Sequence, residues 1–295
     1  MKARIYFDVW GSRGSRSLVP PLSRIGNRTS CYSLLRGPDL LVLDAGLGLA
    51  ALTHAMSAQK RFDGVRRVHV LVSHAHMDHW EGLKDAEWFW RRNNGLQVTL
   101  HGTDEALSAI RSGYAHPLYV PLELLAAGKL RRLRSRALKA GARLRLGPWA
   151  LETCALNHYS GAGRRRLFLS TVGYRITVDG GPAVAYLSDH EPTSGTRETD
   201  RRMTRGGHLV VLDAHFADIA DHAFGHGSQE HAAVVARENP GTLVLAGHHG
   251  PIFSDAEIEA SRRRHGRGLP NLELAVEGRS YVWSAARKAF TARGR

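Results

Sequence analysis

Apolar residues along this chain fall into short runs, each closed by glycine or polar residues: RIYFDVWG (4–11), LLVLDAG (40–46), VHVLVSHAH (68–76), LQVTLHG (96–102), AVAYLSDHE (183–191), HLVVLDAH (208–215) and TLVLAGHHG (242–250). Their length and their β-branched, leucine-rich make-up predict buried strands. Between some of them the pattern turns helical, over 78–92, 103–112 and 228–237. Such alternation predicts α/β layering, with the polar strand ends gathered along one edge of the sheets. The segment 111–158 reads as turns, short strands and at most a brief helix. After residue 268, NLELAVEGRSYVW alternates as strands do with Glu277-Gly278 at its turn, and the basic tail beyond about 285 is expected to fray. No linker or internal repeat divides the chain, so residues 1–295 are expected to form one domain.

Composition narrows the class. Hydrophobic residues at 43% and charged residues at 23% are globular values. The formal net charge of +14 comes mostly from arginine, in RRLRSR (131–136), RRR (164–166), RRMTR (201–205) and RRRHGR (262–267). A field of that sign concentrates anions, so a small anionic substrate is the expected partner and nucleic acid a further one, although such runs also suit plain solvated faces. Cys31 and Cys154 are too few for a disulfide framework. The opening MKARIYFDVWGSRGS lacks the apolar stretch of an export signal, and no run reaches membrane-spanning length, so a cytoplasmic setting without membrane contact is expected. A homodimer is compatible with all of this.

One stretch carries unusual chemistry. SHAHMDHWEG (73–82) sets His74, His76 and His79 beside Asp78 directly after an apolar run. Imidazoles and a carboxylate at a strand end are poor core material but suitable ligands for Zn²⁺, Mn²⁺ or Fe²⁺. His74 and His76 alternate as an extended segment requires, and Asp78 with His79 opens the segment expected to be helical, so both pairs face one cavity. HAHMDH resembles the H-x-H-x-D-H signature of the metallo-β-lactamase superfamily, and further elements resembling that family follow in order. The resemblance implies a four-layer αβ/βα metallo-β-lactamase sandwich. It implies that His74, His76 and His158 (in LNHYSG) hold one metal, that Asp78, His79 and His248 (in LAGHHGP) hold a second, and that Asp189 (in YLSDHE) bridges them. Asp44 of LDAG would be a carboxylate beneath the ligand loop. His249 is the alternative to His248 as the last ligand. Two divalent ions, Zn²⁺ first and Mn²⁺ or Fe²⁺ as alternatives, would supply a bridging hydroxide oriented by Asp78 and Asp189, which implies a hydrolase.

The superfamily's chemistries are diverse, so other residues must select the bond. GSRGSRS (11–17) and GNRTSCY (26–32) resemble elements of the ribonuclease Z-like and cyclic-nucleotide phosphodiesterase-like branch, which makes Ser12, Arg13 and Ser15 candidate donors to a phosphate. A plain Gly/Ser turn is the other reading of the first stretch. DAHFADIADHAFGHGS resembles the paired acid and histidine of that branch, which implies that Asp213 supports His226 and that His226 serves the leaving group. No long inserted arm of the kind ribonuclease Z uses is visible, so a nucleotide-like or other small phosphodiester is the expected substrate. A metal-dependent carboxyl-ester, thioester or lactone hydrolase is the alternative, and a nucleic-acid-binding protein with a vestigial site is the third reading. His54, His69, His101, His116, His208, His215, His222, His231 and His265 have no counterpart as ligands and read as surface or structural histidines. Trp80, Trp88 and Trp90 read as core.

Overall fold

DLLVL, AVAYL and LVVLD are buried at every position, and each becomes a central strand. The structure is a computed structural model that describes residues 4–18, 23–91, 94–161 and 163–293. The chain first lays down β1 (Ile5–Gly11), β2 (Cys31–Arg36), β3 (Asp39–Leu43), helix α1 (Gly48–Ala58), β4 (Arg67–Leu71), β5 (Gln97–Gly102), helices α2 (Asp104–Gly113) and α3 (Leu122–Ala126), and β6 (Arg132–Ala137). There follow β7 (Arg143–Leu146), β8 (Trp149–Ala155), a short pair β9 (Tyr159–Ser160) and β10 (Leu167–Phe168), β11 (Val172–Val178), β12 (Ala183–Leu187), α4 (Arg197–Thr204), β13 (Leu209–Asp213), α5 (Gln229–Glu238), β14 (Leu243–Gly247), α6 (Asp255–His265) and β15 (Leu272–Leu274). Strands β16 (Ser280–Ser284) and β17 (Ala289–Ala292) close the chain.

These strands form an eight-stranded sheet, β17-β16-β1-β2-β3-β4-β5-β6, and a seven-stranded sheet, β15-β14-β13-β12-β11-β8-β7. Side chains alternate in direction along a strand. On β3, Leu41 and Leu43 join Phe7, Tyr32 and Leu71 against Trp149, Tyr174, Ile176 and Tyr186 of the second sheet. Leu40 and Val42 turn the other way, onto Leu49 and Leu52 of α1 and a core shared with Leu107 and Ile110 of α2. The second sheet is covered in turn by Met203 of α4 and by Ala232, Ala233 and Ala236 of α5. The expected four-layer order of helices, sheet, sheet and helices is what the three cores describe.

Within each sheet a parallel block does the positioning. Strands β3, β4, β5 and β6 run parallel, as do β12, β13, β14 and β15. Loops leaving the C-terminal ends of such strands converge on one side, where α/β proteins place ligands. Asp44, the segment Ser73–His79, Asp189, Asp213 and His248 all stand at or just beyond these ends.

Several expectations are corrected. The segment 78–92 is not one helix: it forms short 3₁₀ turns at Met77–His79, Glu81–Asp85 and Glu87–Phe89, while residue 92 lies outside the described residues. The segment is pinned by His79 O accepting from Ala45 N and by Gly82 N donating to Ala45 O. A Cβ on Gly82 would stand 2.0 Å from Gly46 O, so this close approach of the two backbones requires glycine. In NLELAVEGRSYVW the expected strands do flank a turn at Glu277-Gly278, but they part company, β15 joining the second sheet in parallel and β16 the first beside β1. The tail beyond 285 is not frayed through Arg293: β17 pairs with β16, and Phe290 is buried against Phe7 and Trp283. Helices α1, α4 and α6 lay outside the expected helical segments. Among the described residues no helix is long and apolar enough to cross a membrane.

Candidate metal centre

Asp44 leaves β3 with a left-handed backbone, φ 56°, which turns its carboxylate back beneath the next strand end. There it accepts hydrogen bonds from Ser73 N at 2.7 Å, Ser73 Oγ at 2.9 Å, Tyr186 OH at 2.6 Å and His79 Nδ1 at 2.7 Å. It therefore fixes both the ligand loop and the ring of His79, and through Tyr186 it grips the second sheet.

Asp189 lies at the centre. Its Oδ1 is 3.1 Å from His248 Nδ1 and 3.3 Å from His79 Nε2. Its Oδ2 is 3.7 Å from His74 Nε2 and 3.7 Å from His158 Nε2. One carboxylate thus offers a different oxygen to each of two histidine groups. His76 Nδ1 is 3.0 Å from His158 Nε2, and Asp78 Oδ2 is 3.2 Å from His79 Nε2. Ligand atoms of His74, His76, His158 and Asp189 converge within 4.8 Å of one another, as do those of Asp78, His79 and His248.

The donor set fits divalent cations. His74 Nε2 and His79 Nε2 are buried without a well-aligned hydrogen-bond partner, a costly state for a ring nitrogen unless a cation takes it. Second interactions orient the rings: His158 Nδ1 lies 3.0 Å from Gly225 O, and His76 Nε2 lies 2.8 Å from Ser160 Oγ. Burial pushes the pKa of His74 well down, and that of His158 to about 4, so both rings are neutral as ligands must be. Burial also opposes charge on His79, yet Asp189, Asp78 and Asp44 together hold its pKa well above the ordinary value in the metal-free protein. Burial raises the pKa of Asp78, but the adjacent His79 outweighs it and leaves the carboxyl at about 2. Asp78 also accepts from Ser15 N at 2.9 Å.

His249 does not compete with its neighbour. Its ring is fully buried with both nitrogens unpartnered, burial takes its pKa to about 3, and it joins none of the convergent groups. His248 adopts φ 51°, which turns it into the centre. Gly14 makes room, because a Cβ there would stand 2.4 Å from His248 Nε2.

Beside the centre, His226 Nδ1 lies 2.8 Å from Asp213 Oδ2 and 3.8 Å from Asp189 Oδ2. Asp213 is held by the backbone N–H groups of His190 at 3.0 Å and His215 at 2.9 Å. Burial disfavours a charged His226, but Asp213 overrides it and the pKa rises to about 9. His215, read from sequence as structural, stacks on His226 with ring centroids 4.2 Å apart and planes 14° from parallel. The sequence signal was its position two residues past Asp213, which puts both side chains on the same side of an extended strand end.

A cleft of about 500 Å³ opens over these groups, lined by Ser15, Arg16, His76, Asp78, His158 and His226 among others. Two expected phosphate donors are not in it. Arg13 is fully buried, with its guanidinium bonded to Asp255 Oδ1 at 2.7 Å, Ser23 Oγ at 2.8 Å and Gly26 O at 2.8 Å. It ties the N-terminal loop to α6, because an unpaired buried guanidinium takes the nearest carboxylate. Ser12 is also fully buried, and its backbone O accepts from His249 N at 2.9 Å. Ser15 alone of the three reaches the cleft.

Comparison with known proteins agrees with this architecture. The model of the beta-lactamase superfamily domain matches residues 40–249. Ribonuclease Z of Salinibacter ruber is 36% identical over 107 residues, covering 34% of this chain and only 30% of that protein's length. Among solved structures, the metallo-beta-lactamase fold protein YhfI of Bacillus subtilis superposes with a TM-score of 0.66 at 17% identity, over 95% of this chain and 100% of that one. The short form of human tRNase Z gives 0.61 at 14% identity, over 93% and 98%. A model spanning residues 40–249, together with a fold whose parallel strand ends gather the histidines and aspartates, means that this chain belongs to the beta-lactamase superfamily.

Proposed function

We propose that this metal-dependent hydrolase is a dinuclear phosphodiesterase acting on a nucleotide-like or other small phosphodiester, with Zn²⁺ as its metal in a cytoplasmic setting. The observation that carries the dinuclear reading is Asp189, with Oδ1 toward His79 and His248 and Oδ2 toward His74 and His158. His74, His76 and His158 would hold one ion, Asp78, His79 and His248 the other, and Asp189 both. Bound there, the ions supply Lewis acidity and a water acidic enough to serve as nucleophile near neutral pH.

The chain's own groups do the rest. Asp78 and Asp189, held as anions, would accept hydrogen bonds from an incoming water and hold its orientation. His226, kept protonated by Asp213, donates to the departing oxygen. Ser15 and Arg16 at the cleft wall contact the anionic substrate, and a volume of about 500 Å³ suits a nucleotide-sized one. The similarity to ribonuclease Z supports a phosphoester as the bond cleaved.

Metal analysis of the purified protein should find two divalent ions per chain, and bis(p-nitrophenyl) phosphate or a cyclic nucleotide should be hydrolysed. Activity should vanish on chelation and return with Zn²⁺ or Mn²⁺. Robust lactone or thioester turnover without diesterase activity would reject the substrate class and leave the carboxyl-ester alternative.

A further inference from the structure

The inner face of the first sheet extends past the edge of the second. On β3 and β4 that face carries Leu41, Leu43 and Leu71, which enter the core between the sheets. The register carries the same face outward: Arg67, His69 and Leu71 pair with Gln97, Thr99 and His101, which pair with Arg132, Arg134 and Arg136. Leu133, one position out of phase, packs on the opposite side against the helices. Apolar cover stops at Leu144 and Leu146 of β7, the edge strand of the second sheet. Beyond it Arg132, Arg134 and Arg136 stand exposed, and among the described residues no carboxylate lies within ion-pair distance of any of them.

This face is more than a solvated charge run. Alternate positions on a strand repeat at about 6.6 Å, so the three arginines leave one face of β6 from evenly spaced positions. Gln97 and Thr99 beside them add neutral donors, and Arg131 and Lys139 extend the positive field. The row runs toward the strand ends from which His74 and its neighbours hang. A second copy of the chain is a poor occupant, since the same charge would face itself. A regular row of planar donors matches a polymer of regular anions, and guanidinium suits phosphate.

We infer that this uncovered face of β5 and β6 binds the phosphate backbone of a single-stranded nucleic acid, without reading its sequence, by means of Arg132, Arg134 and Arg136. The inference is independent of which ester the metal centre cleaves.

Fluorescence anisotropy of the metal-loaded protein with a labelled single-stranded RNA, checked intact afterwards on a gel, provides the test. Wild type should bind with a steep salt dependence. The variant R132T/R134T/R136T, which keeps strand-compatible side chains, should bind more weakly and lower the slope of log K against log salt by about 2. Its hydrolysis of bis(p-nitrophenyl) phosphate should equal that of wild type. If the triple variant does not fold, R134T alone should lower the slope by about 0.7. R132K/R134K/R136K should retain most of the slope. No binding by wild type, or an unchanged slope in folded variants, would overturn the proposal. Tighter binding of poly-L-glutamate than of the RNA would assign the face to an acidic protein segment and overturn it equally.

Discussion

His226 and Asp213 are joined by a 2.8 Å hydrogen bond in a buried position 3.8 Å from Asp189, so a cationic imidazole is held against the proposed reacting centre. Replacing His226 with alanine should lower kcat on a phosphodiester by about 10²-fold or more while KM changes little. Carboxyl-ester turnover, if present, should be far less affected. Steady-state kinetics on both substrates distinguishes a proton donor from a structural ring.

The same pair makes stability depend on pH. The folded pKa of His226, about 9, exceeds its ordinary value of 6.5. Its contribution is therefore complete below about 6.5 and is lost as pH rises through about 9. Urea unfolding of the metal-free protein should show wild type losing stability over that interval, with the loss absent in His226→Ala.

Asp44 touches no proposed metal position but holds His79 and the ligand loop. Asp44→Asn should weaken metal binding by about 10- to 100-fold, measured by competition with a chromophoric chelator. Undiminished affinity would show that the ring of His79 needs no anchor.

Gly14 predicts a packing effect on one half of the centre. A Cβ there meets His248 Nε2 at 2.4 Å, so Gly14→Ala should displace that ring. Metal analysis should then show preferential loss of one ion of the two, with the fold retained by circular dichroism.

Arg13 separates structure from substrate contact. Asp255→Ala would leave a fully buried guanidinium without its carboxylate, at a cost of about 3–5 kcal/mol in unfolding free energy. KM for a phosphodiester should stay at the wild-type value. A raised KM with unchanged stability would return Arg13 to the substrate.

The layered fold was legible because buried parallel strands write themselves as uninterrupted apolar runs, as in AVAYL and LVVLD. The segment His74–His79 was legible because its ligating groups sit within six positions. His158, Asp189 and His248 were reached through family resemblance, since nothing local says which strand ends become neighbours. Arg13 misled because a Gly/Ser/Arg loop reads alike whether its guanidinium faces a cleft or a distant carboxylate; Asp255 lies 242 positions away. α6 carried a readable start in Ser254 and Glu257, which form a capping box. α1 had no such mark, as its N-terminus lacks a side-chain cap.

The hydrogen bond from Tyr186 to Asp44 spans the seam between the sheets, and the proposed ligands straddle it too. His74, His76, Asp78 and His79 hang from the first sheet, whereas His158, Asp189 and His248 hang from the second. Cation capture by the proposed ligands would therefore clasp the two leaves of the sandwich, and neither leaf expressed by itself would own a complete coordination sphere.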